Sequence, residues 1–233
     1  KRARGAARGE HGLPPMGFLM ANFNNLDKLE PRVWRLWRRV VESHPSVTLW
    51  LQKYPPAKAA RVQQLAGEEG GALPGRMVVT PFFKSDQHIS IKALSDVFVD
   101  NPSYNAHSTA MDTLWGGLPL ATLPEVKFSA RVGASLLLAL GVSYSIARDM
   151  DDLEAIVSAL VEKPRVARRL RGELERNRES HALFDTVRAV RNLETALKCM
   201  IDAAAEGDRP VGERYNLVTV DAVGGRSREE GLE

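Results

Sequence analysis

His107, Ser108 and Thr109 follow an apolar run that ends at Val99 and a polar turn that starts at Asp100, and they lead into a helical pattern. A helix start is an anion site, because its unpaired N–H groups and its dipole both favour negative charge. Ser108 or Thr109 is the expected cap, with His107 at the mouth. Asp112 lies one turn further in, where a carboxylate can accept hydrogen bonds from sugar hydroxyls. A phosphate grip beside a hydroxyl grip suits a nucleotide sugar. A local explanation stands beside it. Thr109–Asp112 also fits the S/T-x-x-D/E capping signature, in which Asp112 only reaches back to the cap backbone. His107 equally fits a turn histidine bonded to a carbonyl.

Other side chains extend the first reading. Lys28 follows an apolar run and a polar turn, where a fixed ammonium can stabilise charge on a departing nucleoside diphosphate. Asn24 and Asn25 can offer amides to phosphate, and they are also ordinary turn formers. His88 can stack on or hydrogen-bond a base, or be a polar helix residue. Asp100 and Asp112 form no obvious acid/base pair, since one ends a strand pattern and the other sits inside a helix. The sequence contains no His-x-Glu-x-x-His, Gly-x-Ser-x-Gly or Walker-type motif, and no Gly-x-Gly-x-x-Gly follows the first strand. Those patterns would mark a zinc protease, an α/β-hydrolase, a P-loop enzyme or a standard dinucleotide oxidoreductase.

Composition supports a globular chain. The 233 residues are 44% hydrophobic and 26% charged, and no apolar run approaches the length of a membrane span. The basic start, residues 1–8, leads into no secretory apolar region, so a cytoplasmic or nuclear location is expected. The single cysteine, Cys199, allows no intramolecular disulfide and no cysteine zinc site, and it reads as a buried, inert thiol. The net charge of +3 is carried largely by the N-terminus and by residues 163–178, which mix both signs. No aromatic-interleaved basic motif accompanies it, so nucleic acid is not an expected partner.

The elements that must hold these residues alternate. Strands are expected at residues 16–22, 47–51, 77–80 and 96–100, an apolar run follows at 120–123, and 142–146 fits a short edge strand. Helices are expected at 31–44, 57–69, 86–94, after the turn at 100–109, and at 129–140, 151–161, 164–177 and 181–205. Residues 1–15 read as a basic tail or linker, 16–205 as the folded lobe, and 206–233 as a polar tail with a possible strand at 215–220. Strand–helix alternation at this interval means a parallel sheet flanked by helices, an α/β Rossmann-like fold. Ligands bind such sheets outside the carboxyl ends of the strands. That rule sets the turns at 22–28, 81–88 and 100–109 on one rim.

Residues 22–31, 100–119 and 129–136 resemble, in order and at nearly matching spacing, the C-terminal catalytic lobe of the protein O-GlcNAc transferase family. The SPINDLY-type plant O-fucosyltransferases are near relatives, and the resemblance runs from about Gly17 to about Ala205. It implies the C-terminal, donor-binding lobe of a GT-B glycosyltransferase that takes UDP-GlcNAc and needs no metal or other cofactor. Lys28 matches the family lysine at the diphosphate. Asn25 stands where a glutamine is usual. His107, Ser108 and Thr109 match the His-Thr-Thr segment at the helix start, Asp112 the ribose-binding aspartate, and His88 the histidine near the uracil.

Departures accompany the match. Ser85 and Ile91 replace a lysine and an arginine near the base, with Lys84 as a neighbouring substitute; Ala106 and Ala110 replace glycines. Tyr104 replaces a smaller residue near the sugar. The family's tetratricopeptide repeats and N-terminal catalytic lobe are not in this sequence. The resemblance therefore implies inverting transfer of GlcNAc to Ser or Thr hydroxyls of protein acceptors, with turnover needing the N-terminal lobe. Leu193, Leu197 and Met200 would form a seam toward that lobe. A non-catalytic UDP-binding or interaction fragment, or a SPINDLY-like enzyme using GDP-fucose, are the alternatives.

Overall fold

The computed structural model describes residues 2–83 and 87–205, together with 219–220 and 226–227. The chain divides into two compact units, Lys1–His181 and Ala182–Glu233.

In the first unit the short apolar runs become strands because burial on both faces leaves no polar side to alternate with. After helix α1 (Arg2–Glu10), strand β1 (Phe18–Asn22) is buried at every position. Helix α2 (Pro31–Ser43) begins on a proline, whose missing N–H would be unpaired there in any case. It buries Val33, Trp34, Leu36, Trp37, Val40 and Val41 on one face. Strand β2 (Val47–Gln52) follows, then helix α3 (Pro56–Glu69), which stops at Gly70 with a φ of 67°. A glycine adopts that backbone without strain. Strand β3 (Met77–Thr80), helix α4 (His88–Lys92), strand β4 (Val97–Val99), helix α5 (Ser108–Trp115) and strand β5 (Leu120–Ala121) complete the sheet side. Helices α6 (Val132–Ala139), α7 (Met150–Glu162) and α8 (Pro164–Asn177) follow.

The five strands are parallel and ordered β3-β2-β1-β4-β5. From β1 the chain moves outward through β2 to β3, then returns to lay β4 on the other side of β1. That reversal opens a crevice at the carboxyl ends of β1 and β4, the place where such sheets take ligands.

Three local expectations change, and a fourth lies mostly outside the described residues. Residues 2–10, read as part of a tail, form α1. Its Arg8 is buried, donates to the Leu94 and Gly17 carbonyls, and pairs with Asp96 at 2.8 Å, partners that composition cannot reveal. The edge strand expected at 142–146 is a turn, Ile146 N–H bonding the Ser143 carbonyl, and makes only one parallel bridge, between Thr122 and Ile146. The helix expected at 86–94 is shorter, and Ser85 lies outside the described residues. Of the strand at 215–220, only 219–220 are described.

The second unit contains helix α9 (Thr186–Ala205) and a two-residue antiparallel pair, β6 (Thr219–Val220) and β7 (Arg226–Ser227). Leu193, Leu197 and Met200 on α9 are exposed, and Cys199, expected to be buried, is half-buried. No helix among the described residues is long and apolar enough to cross a membrane.

Candidate functional site

Two turns meet over the crevice. The one after β1 ends in a single 3₁₀ turn, Leu26–Lys28, where Asn25 Oδ1 accepts from the Asp27 N–H at 2.8 Å. The carbonyl end of the Asn25 amide is thus used by its own turn. Lys28 then reaches across to the turn after β4. Its Nζ donates to the Asn105 carbonyl at 2.9 Å and lies 4.0 Å from the centre of the Tyr104 ring. Burial lowers the pKa of this amine, and the nearby Asp100 carboxylate opposes that shift.

The turn after β4 is held from below by Asp100, which is fully buried. Its Oδ1 accepts from the N–H groups of Asn101 and Ala106 at 2.8 and 2.7 Å and from Asn24 Nδ2 at 3.2 Å. Oδ2 accepts from the Thr122 hydroxyl at 3.1 Å. Burial pushes the Asp100 carboxyl up to about 6, although these hydrogen bonds favour the ionised form. The Asn101 carboxamide then links both turns, accepting from Asn22 and Asn24 and donating to the Lys28 carbonyl. Asn24, expected to offer its amide to phosphate, is instead buried and bonded to Asp100 and Asn101. Asp100 works here as a structural acceptor, and no carboxylate dyad is formed with Asp112.

Helix α5 starts at Ser108, with His107 in the N-cap position and no side chain capping the first turn. The expected Ser108 or Thr109 cap is absent because both residues are already helical. The Asp112 carboxylate does not reach back either, since Asp112 Oδ2 lies 2.8 Å from Nε2 of His88, on α4. The His107 ring stacks on Tyr104 at 5.2 Å, with the rings 18° from parallel. Phe128 meets the His107 ring edge-on at 6.4 Å. Lys28, Tyr104 and His107 are therefore one cluster, and α5 carries the site on to Asp112. Five helical steps of about 1.5 Å separate His107 from Asp112, about 7.5 Å along the helix axis.

Of the residues singled out from sequence, Lys28, His107, Ser108 and Thr109 come together at the α5 start. His88 and Asp112 come together beside it. Asn25 sits in the turn that delivers Lys28. Sequence reasoning missed Lys92, buried on the same face of α4 as His88, and the asparagine network under the crevice. The clustering of Asn22, Asn24, Asn101 and Asn105 after two strand patterns was the available signal. Among the described residues, no group of three or more His, Cys, Asp or Glu side chains is arranged to hold a metal ion.

The profile of glycosyl transferase family 41 matches residues 4–193. The chain belongs to this family. It is 35% identical over 205 residues to a probable UDP-N-acetylglucosamine–peptide N-acetylglucosaminyltransferase, SEC, of Arabidopsis thaliana, covering 87% of this chain and 21% of that protein. A transferase with the same descriptive name from Caenorhabditis elegans is 30% identical over 191 residues, covering 82% of this chain and 16% of that protein. The family 41 chain thus spans about a fifth of the length of these relatives. Among solved structures, a lysine-to-methionine mutant of Thermobaculum terrenum O-GlcNAc transferase superposes with a TM-score of 0.76 at 23% identity. That match covers 83% of this chain and 38% of the other. Anabaena HepE, solved with UDP and glucose, gives a TM-score of 0.59 at 14% identity, covering 84% of this chain and 52% of the other. These likenesses establish the fold: a parallel sheet flanked by helices, as in the GT-B glycosyltransferases.

Proposed function

We propose that this chain is the donor-binding lobe of a protein O-GlcNAc transferase and binds UDP-GlcNAc in the crevice between β1 and β4. One observation carries the reading. Lys28 and the uncapped start of α5 are brought together through Tyr104 and His107, on the helix that also bears Asp112. In this reading Asp112 holds ribose hydroxyls, His88 lies near the base, and the Ser108 and Thr109 end of α5 takes the diphosphate. Asn25 supports the turn that delivers Lys28.

The proposed reaction is inverting transfer to a protein Ser or Thr hydroxyl. The hydroxyl oxygen bonds to the anomeric carbon as the bond from that carbon to the β-phosphate oxygen breaks. The hydroxyl proton goes to a base outside this lobe, and UDP leaves with the electron pair. Lys28 and the α5 amides stabilise the charge that develops on the leaving oxygen. Protein acceptors, an N-terminal lobe, helical repeats and a cytoplasmic or nuclear location belong to the same proposal.

Calorimetric titration with UDP of the chain and its Lys28→Ala and Asp112→Ala variants tests the site. Loss of at least about tenfold in affinity in each is expected, as for removal of one charge-assisted contact; equal binding by all three removes the assignment. The alternative reading is a nucleotide-binding or interaction module without turnover. Competition between UDP and GDP separates both from a SPINDLY-like fucosyl donor specificity.

A further inference from the structure

Lys92 ends α4 four residues after His88, so one face of a short helix presents both side chains toward Asp112 on α5. Lys92 is only 4% exposed. Its Nζ lies 5.6 Å from the centre of the Phe23 ring, and Phe23 directly follows β1. The ammonium is therefore near the carboxyl end of β1, within electrostatic range of the Asp112 carboxylate. Among the described residues Lys92 makes no ion pair, while Asp112 Oδ2 is bonded to His88.

An ammonium held this way is unfavourable, because burial removes its water without a contacting counter-charge. Burial accordingly lowers the Lys92 pKa, with Asp112 acting in the opposite sense from a distance. A compact, strongly hydrated cation is compensated by an anion far better than by a neutral carbonyl. The anion that the donor-lobe reading brings here is the nucleotide's diphosphate.

We infer that Lys92 is a second cationic contact of the nucleotide, facing the phosphate joined to the ribose that Asp112 holds. Lys28, beside His107 at the other end of the α5 first turn, faces the far phosphate. This inference rests on the donor-lobe reading and adds to it a residue outside the sequence expectations.

The test uses the 233-residue chain and a series of probes of increasing charge: uridine, UMP and UDP. Lys92→Met keeps the length and apolar stem of the side chain while removing the charge, with Lys92→Gln as a second variant. Each is titrated with the three probes, and thermal stability is measured without ligand. UMP and UDP affinity should fall about tenfold, the effect of one lost charge-assisted contact, while uridine changes less than about twofold. The unliganded variants should be at least as stable as the parent, because a buried charge has been removed. A purely structural lysine would instead lower all three affinities together with stability, and that result overturns the inference. Unchanged UDP binding in both variants overturns it as well. UDP binding that depends on Lys28 and Asp112 but not on Lys92 leaves the donor-lobe reading standing alone. If the parent chain binds neither UMP nor UDP, both readings fall.

Discussion

The Lys28 ammonium sits between the Asn105 carbonyl, at 2.9 Å, and the face of the Tyr104 ring, at 4.0 Å from its centre. This contact ties the turn after β1 to the turn after β4 by a side chain from each. Because Tyr104 also stacks on His107, the same ring sets the position of Lys28 and of the residue at the start of α5.

Tyr104→Ala should therefore loosen Lys28 and His107 together. Tyr104 is 45% exposed, so the loss is that of a partly solvated cation–π contact and one aromatic stack. A destabilisation of about 1–2 kcal/mol is expected, measured by urea unfolding. Lys28→Ala in the Tyr104→Ala background should add less than it does alone, because the two side chains share one contact. Strict additivity would refute the coupling.

Asp100 makes stability depend on pH in a defined direction. Its folded-state pKa, about 6, lies above the unfolded value near 3.9. The native state then holds more proton than the unfolded chain between the two values, so stability is greatest below the unfolded pKa. It declines as pH rises from about 4 to about 6, and no further loss from this group follows above that. The integrated effect is on the order of 3 kcal/mol. Asp100→Asn should flatten that decline in urea melts recorded across pH 4 to 7; an unaltered slope would show that Asp100 is not the group responsible.

Gly133 packs its bare Cα against this carboxylate. A Cβ there would lie 2.6 Å from Thr122 Oγ1 and 2.9 Å from Asp100 Oδ2. The Gly133 N–H also donates to Asn105 Oδ1 at 3.0 Å, so the backbone has little room to withdraw. Gly133→Ala should cost about 1–3 kcal/mol, the usual range for overpacking. Adding Thr122→Ala should recover part of it, as read from the denaturation midpoint.

Arg8 gives the opposite control. Arg8→Ala should lower stability by about 2–4 kcal/mol, since it leaves Asp96 and the Leu94 carbonyl short of a buried partner. UDP affinity should stay within about twofold of the parent, because Arg8 and Asp96 sit at the amino end of β4 and the crevice is at its carboxyl end. A parallel fall in affinity would contradict that separation.

The strand runs and α2 were legible because each carries its period within a few residues: Val33, Leu36, Trp37 and Val40 describe one buried face unaided. Parallel pairing and a rim of polar turns followed from strand–helix alternation. The site was legible as residue types near Lys28, His107 and Asp112. Their partners were not. His88 and Asp112 are 24 positions apart, and nothing local distinguishes a helix-capping aspartate from one that faces another helix. Lys92 reads in sequence as an ordinary surface lysine, and only the packing of α4 against Phe23 makes it buried. Composition misjudged residues 2–10 for the same reason, since Arg8 finds its partners nearly ninety positions later.

The Asn101 carboxamide accepts from Asn22 and Asn24 and donates to the Lys28 carbonyl, so both walls of the crevice are joined within the lobe itself. The entropy of ordering those loops is then lost during folding, before any nucleotide arrives. In the proposed binding mode, a nucleotide would then find these two turns already tied together.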